Sequence, residues 1–365
     1  MEVEINMINV EDGDAIIVQL KKGDKKALIL IDGGYKKYYS KVKKRLEELL
    51  PLYNNKISLV VCTHYDNDHI GGIEKILDDY HLIIEKIWIH KIENTLKEQQ
   101  VILENRINQL SGSLLLESHK IQKSIKAYNN NLIIEGYKDL LRVVKKIQEY
   151  DLEKNVVEAT RGETLDGFPE FRVISPTKEY YNQNLPELKL ESILEDLKNN
   201  IRNKSTNLKT LVELFYESKE DYGEAVDYCE NLEKSSLENS VTATNMVSIV
   251  TILETSDKKF LFTGDSGIET FEKHTPNWDK DLKNLFWLDI PHHGSKNNSS
   301  KRMLDVFNPI TTFVSAKGAT NRPSSFIEKC ILSKERNKTF EITNSNSKTW
   351  YLKFDQDGKF VRVLE

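Results

Sequence analysis

Four side chains able to hold a metal ion crowd into six residues: His64, Asp66, Asp68 and His69. The apolar run Leu59-Val60-Val61-Cys62 feeds into them through Thr63, and Gly71-Gly72 and then Ile73-Glu74-Lys75-Ile76-Leu77 follow. Length and β-branched content read the run as a buried strand and the stretch from Ile73 as a helix start. The four groups thus sit on the loop leaving the carboxyl end of a strand, where α/β folds place their chemistry. In an extended loop, His64, Asp66 and Asp68 alternate onto one side. Asp68 and His69 are adjacent and point apart, which suits two neighbouring ions. Imidazole fits zinc, and carboxylate fits harder ions such as manganese. The two glycines let the backbone turn tightly into the helix.

Two later stretches offer more of the same chemistry. Lys259-Phe260-Leu261-Phe262-Thr263-Gly264-Asp265 is a strand ending in Gly-Asp. Leu288-Asp289-Ile290-Pro291-His292-His293-Gly294-Ser295 is a strand that delivers two adjacent histidines to a glycine turn. Alone, a Gly-Asp after a strand is an ordinary turn, and a His pair has a structural reading. Beside the first stretch, one of the two histidines is expected on a metal and the other facing substrate. His293 is read as the ligand and His292 as the group facing phosphate, with the reverse assignment open. Lys296, Lys301 and Arg302 surround this loop, and Lys317 and Arg322 follow it.

The stretch from Thr63 to Gly72 resembles the metallo-β-lactamase superfamily, whose signature is His-x-His-x-Asp-His. Its second His is Asp66 here. The form Thr-His-x-Asp-x-Asp-His-x-Gly-Gly is similar to the branch that contains the hydrolase domain of ComEC-type competence proteins. Gly13-Asp14-Ala15, Asp32-Gly33-Gly34 and Pro291-His292-His293-Gly294-Ser295 match that branch as well. The resemblance implies an α/β fold class, the metallo-β-lactamase αββα sandwich. It implies that Asp32 supports the metal loop and that Asp265 bridges two ions, as two oxygens on one rigid group can for cations about 3.5–4 Å apart.

Two positions depart from wider patterns. Many superfamily members place a metal-binding His where this chain has Asn245; ComEC-like sequences place Asn there with Ser three residues on, as in Asn245 and Ser248. Asn245 is read either as a ligand through its amide oxygen or as a loop brace. ComEC-like sequences also tend to carry His-Pro where this chain has Arg322-Pro323. An arginine binds phosphate bidentately, which histidine cannot.

The expected centre holds two divalent ions, zinc or manganese, among His64, Asp66, Asp68, His69, Asp265 and His293. Asp68 also orients the attacking water, and His292, Lys296, Lys317 and Arg322 hold the substrate's anionic oxygens. Such a pair of ions generates hydroxide at neutral pH and neutralises charge on a phosphoryl oxygen. The expected activity is that of a phosphodiesterase or nuclease acting on DNA. The first alternative is a hydrolase of small esters, lactams or lactones. The second is a scaffold that binds a protein partner through helical insertions, in a bacterial defence system.

The elements that position these residues follow from the pattern along the chain. Val3 to Val10, Ala15 to Leu20, Ala27 to Ile31, Ile57 to Cys62, Glu85 to Ile89, Phe171 to Ile174, Thr244 to Val250 and Thr311 to Ser315 read as strands, and Phe340 to Val363 as two closing strands. Two polar, helix-rich stretches at about 91–151 and 177–239 interrupt them. The whole of 1–365 is therefore read as one hydrolase domain with two insertions. Lys36 to Leu50 carries a run of lysines on a helix, read as a solvated face or as a phosphate-facing patch. At 39% hydrophobic the chain can build a substantial core, and its net charge of −5 provides no global basic field for nucleic acid. No apolar run reaches the ~20 residues of a membrane span, and Met1-Glu2-Val3-Glu4 does not open a signal peptide. Unlike ComEC-type channels, then, no membrane association is expected. Cys62, Cys229 and Cys330 form no close pair, and their odd number points to free thiols in a reducing cytoplasm.

Overall fold

The computed structural model describes residues 1–90, 139–184, 228–230, 232, 241, 243–316, 322–334, 338–343, 350–354 and 360–364. The expected insertions fall largely outside these residues. Of the first, 139–149 is helical, and of the second, Lys178–Gln183 is a helix capped by the Thr177 hydroxyl.

Fifteen strands are described: β1 (Glu2–Met7), β2 (Ile16–Lys22), β3 (Lys25–Ile31), β4 (Leu59–Val61), β5 (Ile87–Ile89), β6 (Val156–Glu158), β7 (Thr164–Leu165), β8 (Phe168–Ser175), β9 (Val250–Glu254), β10 (Lys259–Phe262), β11 (Trp287–Asp289), β12 (Thr311–Ser315), β13 (Thr339–Thr343), β14 (Trp350–Phe354) and β15 (Phe360–Leu364). One sheet runs β15-β14-β1-β2-β3-β4-β5-β6 and the other β13-β12-β11-β10-β9-β8-β7. Both are mixed: β3 to β6 are parallel neighbours, as are β10 to β13, while the rest pair antiparallel.

The two-residue period of a strand explains the layers. Along β3, Ile29 and Ile31 enter the core between the sheets, where Phe171, Phe260, Trp287 and Phe313 of the second sheet meet them. Leu28 and Leu30 face the other way, onto Val42 and Leu46 of the helix Tyr39–Leu49, Ile76 of the helix Ile73–Tyr80, and Leu140 and Val143 of 139–149. The second sheet repeats this outward, with Ile252, Leu261 and Leu288 against Phe271, Leu304, Phe307 and Ile327 of three further helices. Strands buried on both faces read as continuous apolar runs. The layering is helix, sheet, sheet, helix: the αββα arrangement of the metallo-β-lactamase fold.

Four local expectations are corrected. Asn67–Ile70 is a helical turn with Asp66 before it, so the ligand-rich loop is extended only as far as Asp66. Ala243–Met246 is helical too, and its strand begins only at Val250. Four-residue turns are too short for any periodicity to announce. Gly71 and Gly72 have ordinary right-handed φ of −56° and −82°. They are there for close approach instead: a Cβ on Gly72 would lie 2.1 Å from the Gly33 carbonyl oxygen. Finally, Cys229 and Cys330 are joined in a disulfide across 101 residues, with Cα atoms 5.0 Å apart. Chain folding brings them together, and spacing along the sequence could not show it. Disulfides are rare in a reducing cytosol, so the compartment read from the cysteine count loses its basis. Cys62 is a buried thiol.

On the lysine-rich helix, Lys43 pairs with Asp79, Arg45 with Glu48 and Asn6, and Lys41 reaches the Asn9 carbonyl. Just before it, Lys36 pairs with Glu74. This is the solvated-face reading. Among the described residues, no helix is long and apolar enough to cross a membrane.

Candidate metal centre

Strand ends from both sheets converge on one buried cluster. β4 delivers Thr63 and His64, and the turn after it carries Asp66, Asp68 and His69. β10 ends at Asp265, and β11 leads into the His292–His293 turn. The two sheets' loops are stitched together where Ile249 N–H donates to the Thr63 carbonyl at 2.8 Å, and within the second sheet His292 N–H donates to the Gly264 carbonyl at 3.1 Å. Gly264 has φ +50° and a Cβ there would sit 3.0 Å from Thr63, so glycine is required where the second sheet approaches the first.

Asp32 orders the first loop. It follows β3 at φ +58° and is fully buried. Its Oδ1 accepts the Thr63 N–H at 2.8 Å, and its Oδ2 accepts the Thr63 hydroxyl at 2.6 Å. The same Oδ2 lies 2.8 Å from His69 Nδ1. That ring nitrogen must carry a hydrogen, since a carboxylate offers none. The Thr63 hydroxyl has spent its proton on Asp32, so its oxygen accepts from His64 Nδ1 at 3.0 Å. His293 Nδ1 faces the Ser315 carbonyl at 2.9 Å and must donate as well.

When neutral, then, three imidazoles have their hydrogen on Nδ1 and a lone pair on Nε2. All three lone pairs aim at the Asp265 carboxylate. His69 Nε2 is 3.2 Å from Asp265 Oδ1, His293 Nε2 is 3.7 Å from the same oxygen, and His64 Nε2 is 3.6 Å from Oδ2. Asp68 Oδ2 lies 3.4 Å from His293 Nε2, and Asp66 Oδ2 lies 3.8 Å from His64 Nε2. His64 Nε2 and Asp265 Oδ1 are buried with no hydrogen-bond partner. Such groups are costly unless something cationic sits among them. Two groupings suit an ion: Asp14, His69, Asp265 and His293, and, on the other side of Asp265, His64, Asp66 and Asp265.

The electrostatics match a site built for cations. Burial raises Asp66, helped by the Asp68 and Asp265 carboxylates, to about 7. Burial would also raise Asp68, yet the hydrogen bond to His293 and the nearby His69 bring it down to about 2. Burial lowers His64 to about 3. His69 and His293 go up despite burial, because Asp265 and, respectively, Asp32 and Asp68 favour their charged forms. Without metal, protons take the place of positive charge.

Of the sequence-predicted residues, His64, Asp66, Asp68, His69, Asp265, His292 and His293 are brought together, with Asp32 directly behind them. Asn245 donates from Nδ2 to Asp265 Oδ2 at 3.3 Å, which places it as a brace of that carboxylate. His292 Nε2 lies 3.4 Å from Asp265 Oδ2. Burial above all, and then Arg322 beside it, hold His292 at about 4 against the pull of Asp265. The Arg322 charge is thus near enough to His292 to act on it; the next residue, Pro323, packs on Gly294, where a Cβ would lie 2.6 Å from that of Pro323. Lys296 is half-buried in the turn beyond the histidines. Lys317 lies outside the described residues.

Several site residues escaped the sequence reading. Asp14 lies 3.8 Å from the Nδ1 atoms of both His69 and His293. Asp289 is buried on β11, and burial followed by the Asp14 carboxylate raises it well above the usual range. Its signal was an acid inside an apolar strand. The Thr244 hydroxyl reaches Asp66 Oδ1 at 3.3 Å, and Asn298 accepts from His292 Nδ1 at 2.9 Å.

Residues 8–125 match the family model of the metallo-beta-lactamase superfamily. No curated protein matches the chain. One solved structure, described as AidC, a dizinc quorum-quenching lactonase in complex with a product N-hexnoyl-L-homoserine, is 14% identical with a TM-score of 0.33. That similarity covers 96% of this chain and 79% of the other. From residue 8 to 125 the chain thus carries the sequence pattern of the metallo-beta-lactamase superfamily, and its two mixed sheets with their flanking helices are that superfamily's fold.

Proposed function

We propose that this chain is a hydrolase dependent on two divalent ions, zinc or manganese, and that its substrate is a phosphodiester, most concretely DNA. The observation that carries the first part is the convergence of His64, His69 and His293 lone pairs on Asp265, whose Oδ1 is buried without a partner. A scaffold would have no use for buried donors that repel one another. His64, Asp66 and Asp265 would hold one ion, and His69, Asp265 and His293, with Asp14 and Asp68 beside them, the other. When bound, such ions acidify water and polarise a phosphoryl oxygen.

The chain's own groups supply the rest. Asp68 stays anionic, so it can accept a hydrogen bond from water. The charge of Arg322 is felt at His292, and its planar fork matches a phosphate's oxygens. Carboxylates outnumber what an all-histidine zinc site uses, which favours harder ions and oxyanion substrates.

The test is an assay of metal-free, manganese-loaded and zinc-loaded protein on single- and double-stranded DNA, an aryl phosphodiester, a lactone and a lactam. Metal-dependent cleavage of the phosphodiesters is expected. Turnover of the lactone or lactam alone would move the assignment to small esters and amides. A protein that binds no metal and cleaves nothing would leave the hydrolase reading without support.

A further inference from the structure

We propose that His292 is a metal ligand, completing the ion position of His64 and Asp66 across Asp265, so that the two adjacent histidines of one turn hold two different ions. The inference rests on the two-ion reading above. It reassigns His292 from a substrate contact to the centre itself.

The argument starts at Asn298. Its Nδ2 donates to the Asp265 carbonyl at 2.9 Å and to the Ser266 carbonyl at 3.2 Å. Carbonyl oxygens only accept, so the amide nitrogen must face them and the amide oxygen must face His292. His292 Nδ1, 2.9 Å from that oxygen, therefore carries the hydrogen. The neutral ring is left with a lone pair on Nε2, pointing at Asp265 Oδ2 from 3.4 Å. Two lone pairs facing each other at that range repel unless a cation lies between them.

Asp265 Oδ2 is also the oxygen that faces His64. The donor spacings run 3.8 Å from Asp66 Oδ2 to His64 Nε2, 3.6 Å on to Asp265 Oδ2, and 3.4 Å to His292 Nε2. Nitrogen and oxygen donors about 2.0–2.2 Å from one ion stand roughly 3–4 Å apart. Asn245 turns its amide nitrogen, not its oxygen, to the same Asp265 oxygen. His64, Asp66 and Asp265 thus make a grouping of three, to which His292 offers a fourth donor across Asp265 Oδ2.

The backbone is built for this division. His292 and His293 both adopt left-handed conformations, with φ +51° and +54°. That is costly for residues with a Cβ, and it clusters at functional sites. It splays the two rings to 5.9 Å between centroids, with planes at 63°. His293 Nε2 then faces Asp68 and His69, while His292 Nε2 faces the His64 side of Asp265.

The experiment is calorimetric titration of the metal-free protein with Zn²⁺, together with elemental analysis after desalting. Wild type is expected to bind two equivalents. His292→Gly suits the left-handed backbone and removes the donor. It should keep one equivalent and lose affinity for the other by more than the roughly 100-fold that loss of an outer partner costs. Asn298→Ala should retain two equivalents, one weakened by about 10–100-fold. Two equivalents at wild-type affinity in His292→Gly would overturn the assignment, as would loss of both with the circular dichroism unchanged. Should His292→Gly fail to fold, unchanged affinities in Asn298→Ala would overturn it. Wild type that binds no Zn²⁺ would instead remove the two-ion reading beneath it.

Discussion

Asp32 Oδ2 and His69 Nδ1 are 2.8 Å apart and both side chains are fully buried. Through Thr63 the same carboxylate also fixes the ring of His64. One acid thus sets the tautomer of a histidine on each side of Asp265. Asp32→Asn tolerates the positive φ but turns an N–H towards one of the donors. We expect about 10–100-fold weaker Zn²⁺ binding and a loss of about 3–5 kcal/mol in the metal-free protein, as when one partner of a buried ion pair is removed. Calorimetry and urea denaturation measure the two. Unchanged Zn²⁺ affinity would mean that the rings are held in place by other contacts.

Gly33-Gly34 and Gly71-Gly72 lie backbone to backbone. Gly72 N–H donates to the Gly34 carbonyl at 2.8 Å, and Gly33 N–H to the His69 carbonyl at 2.9 Å. A Cβ on Gly72 would lie 2.1 Å from Gly33 O and 2.7 Å from Gly33 C, atoms that no rotamer change can move. Gly72→Ala should therefore cost at least the upper end of the about 1–3 kcal/mol typical of overpacking, and weaken metal binding with it. A chemical melt within 0.5 kcal/mol of wild type, to order of magnitude, would show that the loops relax at little cost.

How much of this could be read beforehand depended on range. Ala27 to Ile31 is an unbroken apolar run, which is local and reads as a strand buried on both faces; that the strands form a sandwich was implied by the family resemblance. The ligand types of His64 to His69, Asp265 and the His292–His293 pair were visible for the same reason. What was hidden is contact between distant segments. Asn298 matters because two carbonyls on another strand end fix its amide. Asp14 and Asp289 matter because folding stacks them near the histidines. Asn67–Ile70 and Ala243–Met246 are single helical turns set by tertiary hydrogen bonds, with no repeat to reveal them. Asp32 is the exception, a buried support that the family resemblance implied through the Asp-Gly-Gly motif after β3.

The Cys229–Cys330 bond links a segment of the second insertion to the inner side of the helix Ser325–Leu332, which follows the Arg322–Pro323 turn. It closes a loop of 101 residues. Chain-entropy arguments give about 4–5 kcal/mol for a loop of that order, less any strain. The double variant Cys229→Ser/Cys330→Ser should lose about 3–5 kcal/mol in urea denaturation. It avoids thiol reductants, which would compete for zinc. Free thiols at both positions in the purified wild type, by thiol titration under denaturing conditions, would refute the bond directly.

Metal affinity should fall as pH falls, and the sign follows from which groups hold protons in the metal-free centre. Asp66 is pushed up to about 7, by burial first and then by Asp68 and Asp265. His69 and His293 are raised by Asp265 and their other carboxylate partners, against burial. Each must give up a proton to become a ligand, so binding releases protons and acid opposes it. His64, held at about 3 by burial, is already neutral and adds nothing near neutral pH. Below about 7, Asp66 alone should reduce Zn²⁺ affinity about tenfold per pH unit, since each displaced proton is worth about 1.4 kcal/mol per unit. Titrations in buffers of different ionisation enthalpy count the protons released. Binding that releases none at about pH 6, below the about 7 to which Asp66 is pushed and below the raised values of His69 and His293, would show that they are not the ligands.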